Sequence, residues 1–154
     1  MTISLANITG SAQTGLTTPG YTITQDVATD INGKQWAVSA ITGTQTGVSA
    51  HSMGSPFTVS YYRPKAFKVL GSPNPVTGRI ANVGTNRSQL LTRKGVLPLA
   101  GQPVQTMFVR TYIDVPAGAD VADANSVRAA LSAHIGALSQ ISSGMGDTVI
   151  SGVM

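Results

Sequence analysis

Apolar and polar residues alternate with a period of two along most of the first 115 residues, the pattern of half-buried strands. TISLANIT alternates first, and GSAQTGLTTPG links it to YTITQDVA. The Asn32-Gly33 pair then signals a hairpin, with QWAVSAIT as the returning strand. After a flexible TGTQTGVSAHSMGS, FTVSYYR is the clearest strand and ends before Pro64. Residues 66–86 are poorly patterned: AFKVLG has some strand character, and SPNPVTGRIANVGTN reads as loop with an edge segment. SQLLTRKGVL and VQTMFVRTYIDV follow as strands, joined by a link whose Pro98 and Pro103 suit a strand end and a turn.

After Val115 the period changes. Val127, Leu131, Ile135 and Leu138 are spaced by four, four and three, with Ala130 and His134 beside them, the stripe of an amphipathic helix. Asp123 is placed to cap it, Asp120 and Asp123 suit its positive end, and Gly144 is placed to stop it. DTVISGVM offers a second short helical piece. Strands followed by helix indicate an α+β domain with an antiparallel sheet. A single helix of about 18 residues, roughly 27 Å long, cannot cover five or more strands. A second copy of the chain is the simplest cover.

The 154 residues suggest one domain, residues 1–154, with sheet over 1–115 and a helical segment over 116–154. Charged residues are only 10% of the chain, against 42% hydrophobic, and the net charge is +4. The six acids are all Asp. Eight of the ten bases lie between Arg63 and Arg110 with no acid among them, a cationic field suited to a polyanion. With no cysteine, disulfides and thiolate metal sites are excluded. No apolar run approaches a membrane span, and MTISLANITG lacks a secretory pattern.

Chemistry is sparse. His51 sits in a Gly/Ser-rich connection and His134 on the helix, neither at suggestive spacing from a carboxylate or nucleophile. There is no G-x-S-x-G, no Walker loop and no metal-ligand cluster. The chain reads as non-catalytic, with no cofactor, metal or small-molecule substrate expected. Strand alternation instead puts Thr58, Ser60 and Tyr62 on one face of FTVSYYR. It puts Thr106, Phe108, Arg110 and Tyr112 on one face of VQTMFVRTYIDV. With Arg93 or Lys94 according to register, these form a polar surface able to bind phosphate and stack bases, as single-stranded RNA readers do. The apolar faces (Phe57, Val59, Tyr61; Met107, Val109, Thr111, Ile113) would lie under the helix. An ordinary solvated sheet face would show the same alternation.

The C-terminal part, roughly residues 56–154, resembles the coat proteins of the single-stranded RNA bacteriophages, the leviviruses. The resemblance lies in the Arg93-Lys94-Gly95 strand, the short link after it, and the long strand ending Val115-Pro116-Ala117-Gly118. The Asp120/Asp123 start, the amphipathic helix and the Gly-punctuated tail complete it. It implies an N-terminal β-hairpin, a five-stranded antiparallel sheet and C-terminal helices completed by an intertwined homodimer. In that dimer Val127, Leu131, His134, Ile135 and Leu138 would pack. Dimers would build an icosahedral shell around a single-stranded RNA genome, in a virion made in the cytoplasm of a bacterial host. Leu97, Pro98, Leu99, Ala100, Gly101, Gln102 and Pro103 would form the loop at the symmetry axes. Thr58, Ser60, Tyr62, Arg93, Lys94, Thr106, Arg110 and Tyr112 would face the RNA, and in some members that face binds an operator hairpin that represses replicase translation. The connections within 66–86 are longer than in small family members. The competing function is a cellular single-stranded nucleic-acid-binding module.

Overall fold

The computed structural model describes residues 3–154. Its sheet is an antiparallel meander in strict chain order: β1 (Ile8–Thr9), β2 (Thr17–Asp26), β3 (Gly33–Thr44), β4 (Phe57–Tyr62), β5 (Thr85–Val96) and β6 (Gln105–Pro116). Three helices follow: α1 (Ala119–Ala122), α2 (Ala124–Gln140) and α3 (Ser142–Ser151). The expected α+β class holds, with β1 and β2 as the opening hairpin and β2–β6 as five antiparallel strands.

Boundaries depart from the sequence pattern in four places, each for a local reason. Of TISLANIT only Ile8–Thr9 pairs; Thr2 lies outside the described residues. Asn32-Gly33 is not a two-residue turn, because the β2–β3 connection runs over residues 27–32 and Gly33 already begins β3. Glycine is needed there because a Cβ would strike the Tyr62 ring of the neighbouring strand. AFKVLG does not join the sheet. The Asn86 side-chain amide instead serves as its partner, accepting from the Lys68 N–H at 2.8 Å and donating to the Lys68 carbonyl at 2.9 Å. Gly144 does not stop the long helix: α2 ends at Gln140, Ile141 makes the joint, and Gly144 lies inside α3. The Asp123 cap is as expected, its carboxylate accepting from the Ser126 N–H.

Bulges interrupt the β2–β3 ladder at Thr17/Gly20 and Thr22/Ile23, where a ladder bends and twists more strongly. Thr18 stands in the left-handed region at φ 45°, with Gly43 (φ 76°) against its carbonyl. Tyr21 beyond the bulge meets Phe57 of β4 edge to face, with ring centroids 5.5 Å apart. The apolar core is small: Trp36, Val38, Val59 and Ala117. Trp36 pairs across the ladder with Val59, and the two side chains share a sheet face.

The helical layer covers little of this. No residue of α2 or α3 is buried. Val127, Leu131 and Leu138 are half-buried, while His134 and Ile135 are exposed. The far end of the layer is tied to the turn between β1 and β2. Gln13 Nε2 donates to the Ser142 carbonyl and hydroxyl at 3.0 and 2.8 Å, Thr14 donates to Asp147 at 2.8 Å, and Ser11 and Ser139 share a hydrogen bond. Between that clasp and β6, the flank of α2 and residues Tyr112–Pro116 border an open apolar groove of about 360 Å³.

Candidate nucleic-acid interface and assembly edge

Register determines which side chains share a face. Thr58 pairs with Arg93 and Arg93 with Phe108; Ser60 with Leu91 and Leu91 with Arg110; Tyr62 with Gln89 and Gln89 with Tyr112; Gly95 with Thr106. Cross-strand partners point the same way. The structure therefore places Thr58, Ser60, Tyr62, Arg93, Thr106, Arg110 and Tyr112 on one face. Lys94 pairs with Phe57 and Met107 and stands on the opposite face, so it leaves the set. Its ammonium donates to the Ser49 carbonyl and hydroxyl (2.8 and 3.1 Å) and lies 4.8 Å from the centre of the Phe57 ring. Burial there lowers the Lys94 pKa.

Within the shared face, two residues are not open to a ligand. Thr58 and Ser60 are 1% and 0% exposed, because a polar network closes over them. Arg93 donates from Nε to the Thr58 hydroxyl (3.0 Å) and from a terminal nitrogen to Gln35 Oε1 (3.1 Å). The Ser60 hydroxyl donates to the same Gln35 oxygen, and Gln35 Nε2 donates to Asp26 at 2.6 Å. Thr58 and Ser60 thus hold a guanidinium in place rather than presenting hydroxyls to solvent. Sequence reasoning missed Gln35 and Asp26. Their signal was the two-residue alternation of β2 and β3, which becomes informative only once the register between those strands is known.

What remains open is a strip of guanidinium and aromatic groups along β6. The Arg110 guanidinium lies 4.5 Å from the Phe108 ring centre, and Arg87 lies 5.0 Å from that of Tyr112. Phe108 and Tyr112 are 46% and 51% exposed, enough to stack on another flat group. Arg87 is neutralised by a bidentate pair with Asp114 (2.7 and 2.8 Å), which raises the Arg87 pKa and lowers that of Asp114. Arg110 has no ion pair among the described residues. Arg93 is held by neutral acceptors only, so both keep their charge available to phosphate.

Asp26 supplies a pH test of the network. The Gln35 hydrogen bond, and then the Val27 N–H, hold its carboxyl below the ordinary 3.8. A depressed folded-state pKa stabilises the fold above the unfolded value and loses that contribution as pH falls through the folded one. Asp26→Asn should therefore flatten the loss of stability below about pH 4, measured as the urea midpoint against pH. An unchanged acid limb would show that Asp26 is uncoupled from folding.

The histidines stay outside this surface. His51 Nδ1 accepts the Phe57 N–H at 3.0 Å, which fastens the β3–β4 connection to β4. His134 borders the groove beside β6.

No protein-family model matches the chain, and no curated protein does either. Among solved structures, the virus-like particle of bacteriophage ESE020 is 52% identical over the whole of both chains, with a TM-score of 0.96. The chain belongs to the levivirus-type capsid proteins. More distant structures are the virus-like particles of Wenzhou levi-like virus 4 and of Beihai levi-like virus 32. The first is 18% identical over 79% of this chain and 71% of its own, with a TM-score of 0.43. The second is 15% identical over 87% and 88%, with a TM-score of 0.47. As a capsid protein the chain has a structural role in the virion and assembles into a shell.

Proposed function

We propose that this capsid protein forms an intertwined homodimer through β6 and the helices, and that the shell built from such dimers encloses single-stranded RNA against the Arg93/Arg110 face. The observation that carries the dimer is the surface of the lone chain. A compact monomer of 15.8 kDa exposes about 7,300 Å²; this chain exposes 10789 Å². The surplus, roughly 3,500 Å² per chain or about 7,000 Å² for a pair, is beyond the ~2,000–5,000 Å² that most obligate dimers bury, enough for an intertwined interface and further contacts in a shell. Part of it is β6, a 12-residue strand at the edge of the sheet in which Met107, Phe108, Val109 and Tyr112 are exposed. A long apolar edge of this kind is a template for another strand. An antiparallel pairing of two β6 strands would satisfy its backbone, and α2 would then bring its half-exposed stripe to the partner. In this reading the stripe Val127, Leu131, His134, Ile135 and Leu138 is interface, and residues 116–154 are the dimerisation segment of a single domain.

The RNA side rests on Arg110 and Arg93, with Phe108, Tyr112 and Tyr62 as neighbouring flat groups and Thr106 at the end of the row. Packaging needs only phosphate contact and stacking, both of which this strip offers. The same face is where an operator hairpin that represses replicase translation would bind, and residues 97–103 would lie at the symmetry axes. Synthesis in the cytoplasm of a bacterial host and the absence of catalysis belong to the same reading. Arg110→Ala should leave dimers folded and lower the RNA content of the particles. It should also flatten the log–log salt dependence of RNA binding by about one unit per lost phosphate contact. Unchanged RNA content in assembled particles would remove Arg110 from the interface.

A further inference from the structure

The helix α2 is held chiefly at its two ends. It adjoins α1 and α3, no strand packs closely against it, and none of its residues is buried. At its first end the chain leaves β6 through Ala117, which is buried and donates its N–H to the Gly84 carbonyl at 2.8 Å. At its other end stands the clasp on the β1–β2 turn, which ties residues 11–14 to partners 128 to 133 positions later in the chain.

The clasp is fitted on both sides. The turn is fixed by Gly15 in the left-handed region (φ 80°) and by the Leu16 N–H, which donates to the Gln13 carbonyl at 3.2 Å. The Gln13 amide then reaches both oxygens of Ser142. On the helix side Gly146 leaves the space that this amide occupies, since a Cβ there would strike it. With both ends fastened, β6, α1, α2 and the clasp frame the apolar groove between α2 and the end of β6. One wall of that groove carries Val127 and Leu131 of the α2 stripe. A two-fold contact sets a patch against its own copy, so this wall and the surplus surface of the lone chain select the same helix of a second chain as occupant.

We propose that the clasp is a latch: it admits α2 of a partner into the groove and closes, within its own chain, behind it. A partner's α2 continues into further chain at both ends, so inside a closed frame it is threaded. By symmetry each chain then encircles the other. The proposal rests on the homodimer reading and adds that the dimer is interlocked.

The chain has no cysteine, and the Ser11 and Ser139 hydroxyls, 3.2 Å apart, mark the place for a reporter bond. Particles of Ser11→Cys/Ser139→Cys are assembled under reducing conditions from mixed light and isotopically heavy chains, then oxidised. The bond needs Cβ atoms within about 4.5 Å. On a non-reducing denaturing gel the protein should run at the size of a dimer and fall to monomer on reduction, while peptide mass mapping finds every bond joining peptides of one isotope. Monomer-sized bands with the same bonds would overturn the latch. So would bonds between light and heavy peptides, or free thiols in intact particles. Should the reduced double variant fail to assemble, Gln13→Ala decides. Losing its two hydrogen bonds should speed subunit exchange between light and heavy dimers about tenfold in native mass spectrometry, and the wild-type rate would overturn the proposal. Light scattering on the wild type separates the two failures: a monomer sinks the dimer reading itself, whereas a dimer without interlocking sinks the latch alone.

Discussion

Leu131→Asp is expected to abolish shells and leave the protein as monomer or aggregate. Leu131 lies in the middle of the α2 stripe, half-buried in the lone chain beside the groove along β6. Covering that groove with a partner would take the new carboxylate out of water with no lysine or arginine among the lining residues to meet it. Arg128 is the one Lys or Arg of α2, and its guanidinium turns toward Asn125, so the only basic side chain bordering the groove is the imidazole of His134. An uncompensated buried charge costs about 3–5 kcal/mol, and a two-fold interface incurs it twice. Ser132→Asp, one residue away on the exposed side of the helix, is the control and should assemble normally. Size-exclusion chromatography with light scattering distinguishes the species. Soluble, assembling Leu131→Asp protein would mean that the stripe faces solvent in the shell.

Trp36→Ala should produce the largest loss of stability of any single truncation in the sheet. Trp36 is 4% exposed and fits against Val59, with Val38 two residues on along the same strand. Trp36, Val38, Val59 and Ala117 are the only buried aliphatic or aromatic side chains among the described residues of the lone chain, so little else can close over the void. Truncating a buried tryptophan costs about 3–5 kcal/mol, a fall of roughly 10 °C in melting temperature for a domain of this size. Circular dichroism melts of dimers at fixed concentration measure it. A melting temperature equal to that of the wild type would show that the dimer interface, not this cluster, carries the fold.

Most of the fold is legible in the residues. Two-residue alternation locates β2 through β6, and the four-four-three spacing from Val127 locates α2. Register is less legible, because alternation within a strand gives faces only relative to that strand. The sets Thr58/Ser60/Tyr62 and Thr106/Phe108/Arg110/Tyr112 do share a face, but the choice between Arg93 and Lys94 waited on the pairing of β5. Burial on that face was hidden for a similar reason. Thr58 and Ser60 resemble solvent-facing residues in any strand, and only Gln35, more than 20 residues earlier, shows that they lie beneath a network. The segment 66–86 gave the weakest signal because its order comes from side chains, above all Asn86, rather than from a repeating backbone pattern.

The most direct test of the dimer is a cryo-electron-microscopy reconstruction of particles from the purified protein. The expected map has two β6 strands side by side and antiparallel across a two-fold axis, making one continuous sheet. The α2 stripe lies on the partner, and the Arg93/Arg110 face looks toward internal density. A shell whose β6 edges meet solvent, or whose Arg93/Arg110 face looks outward, would contradict it.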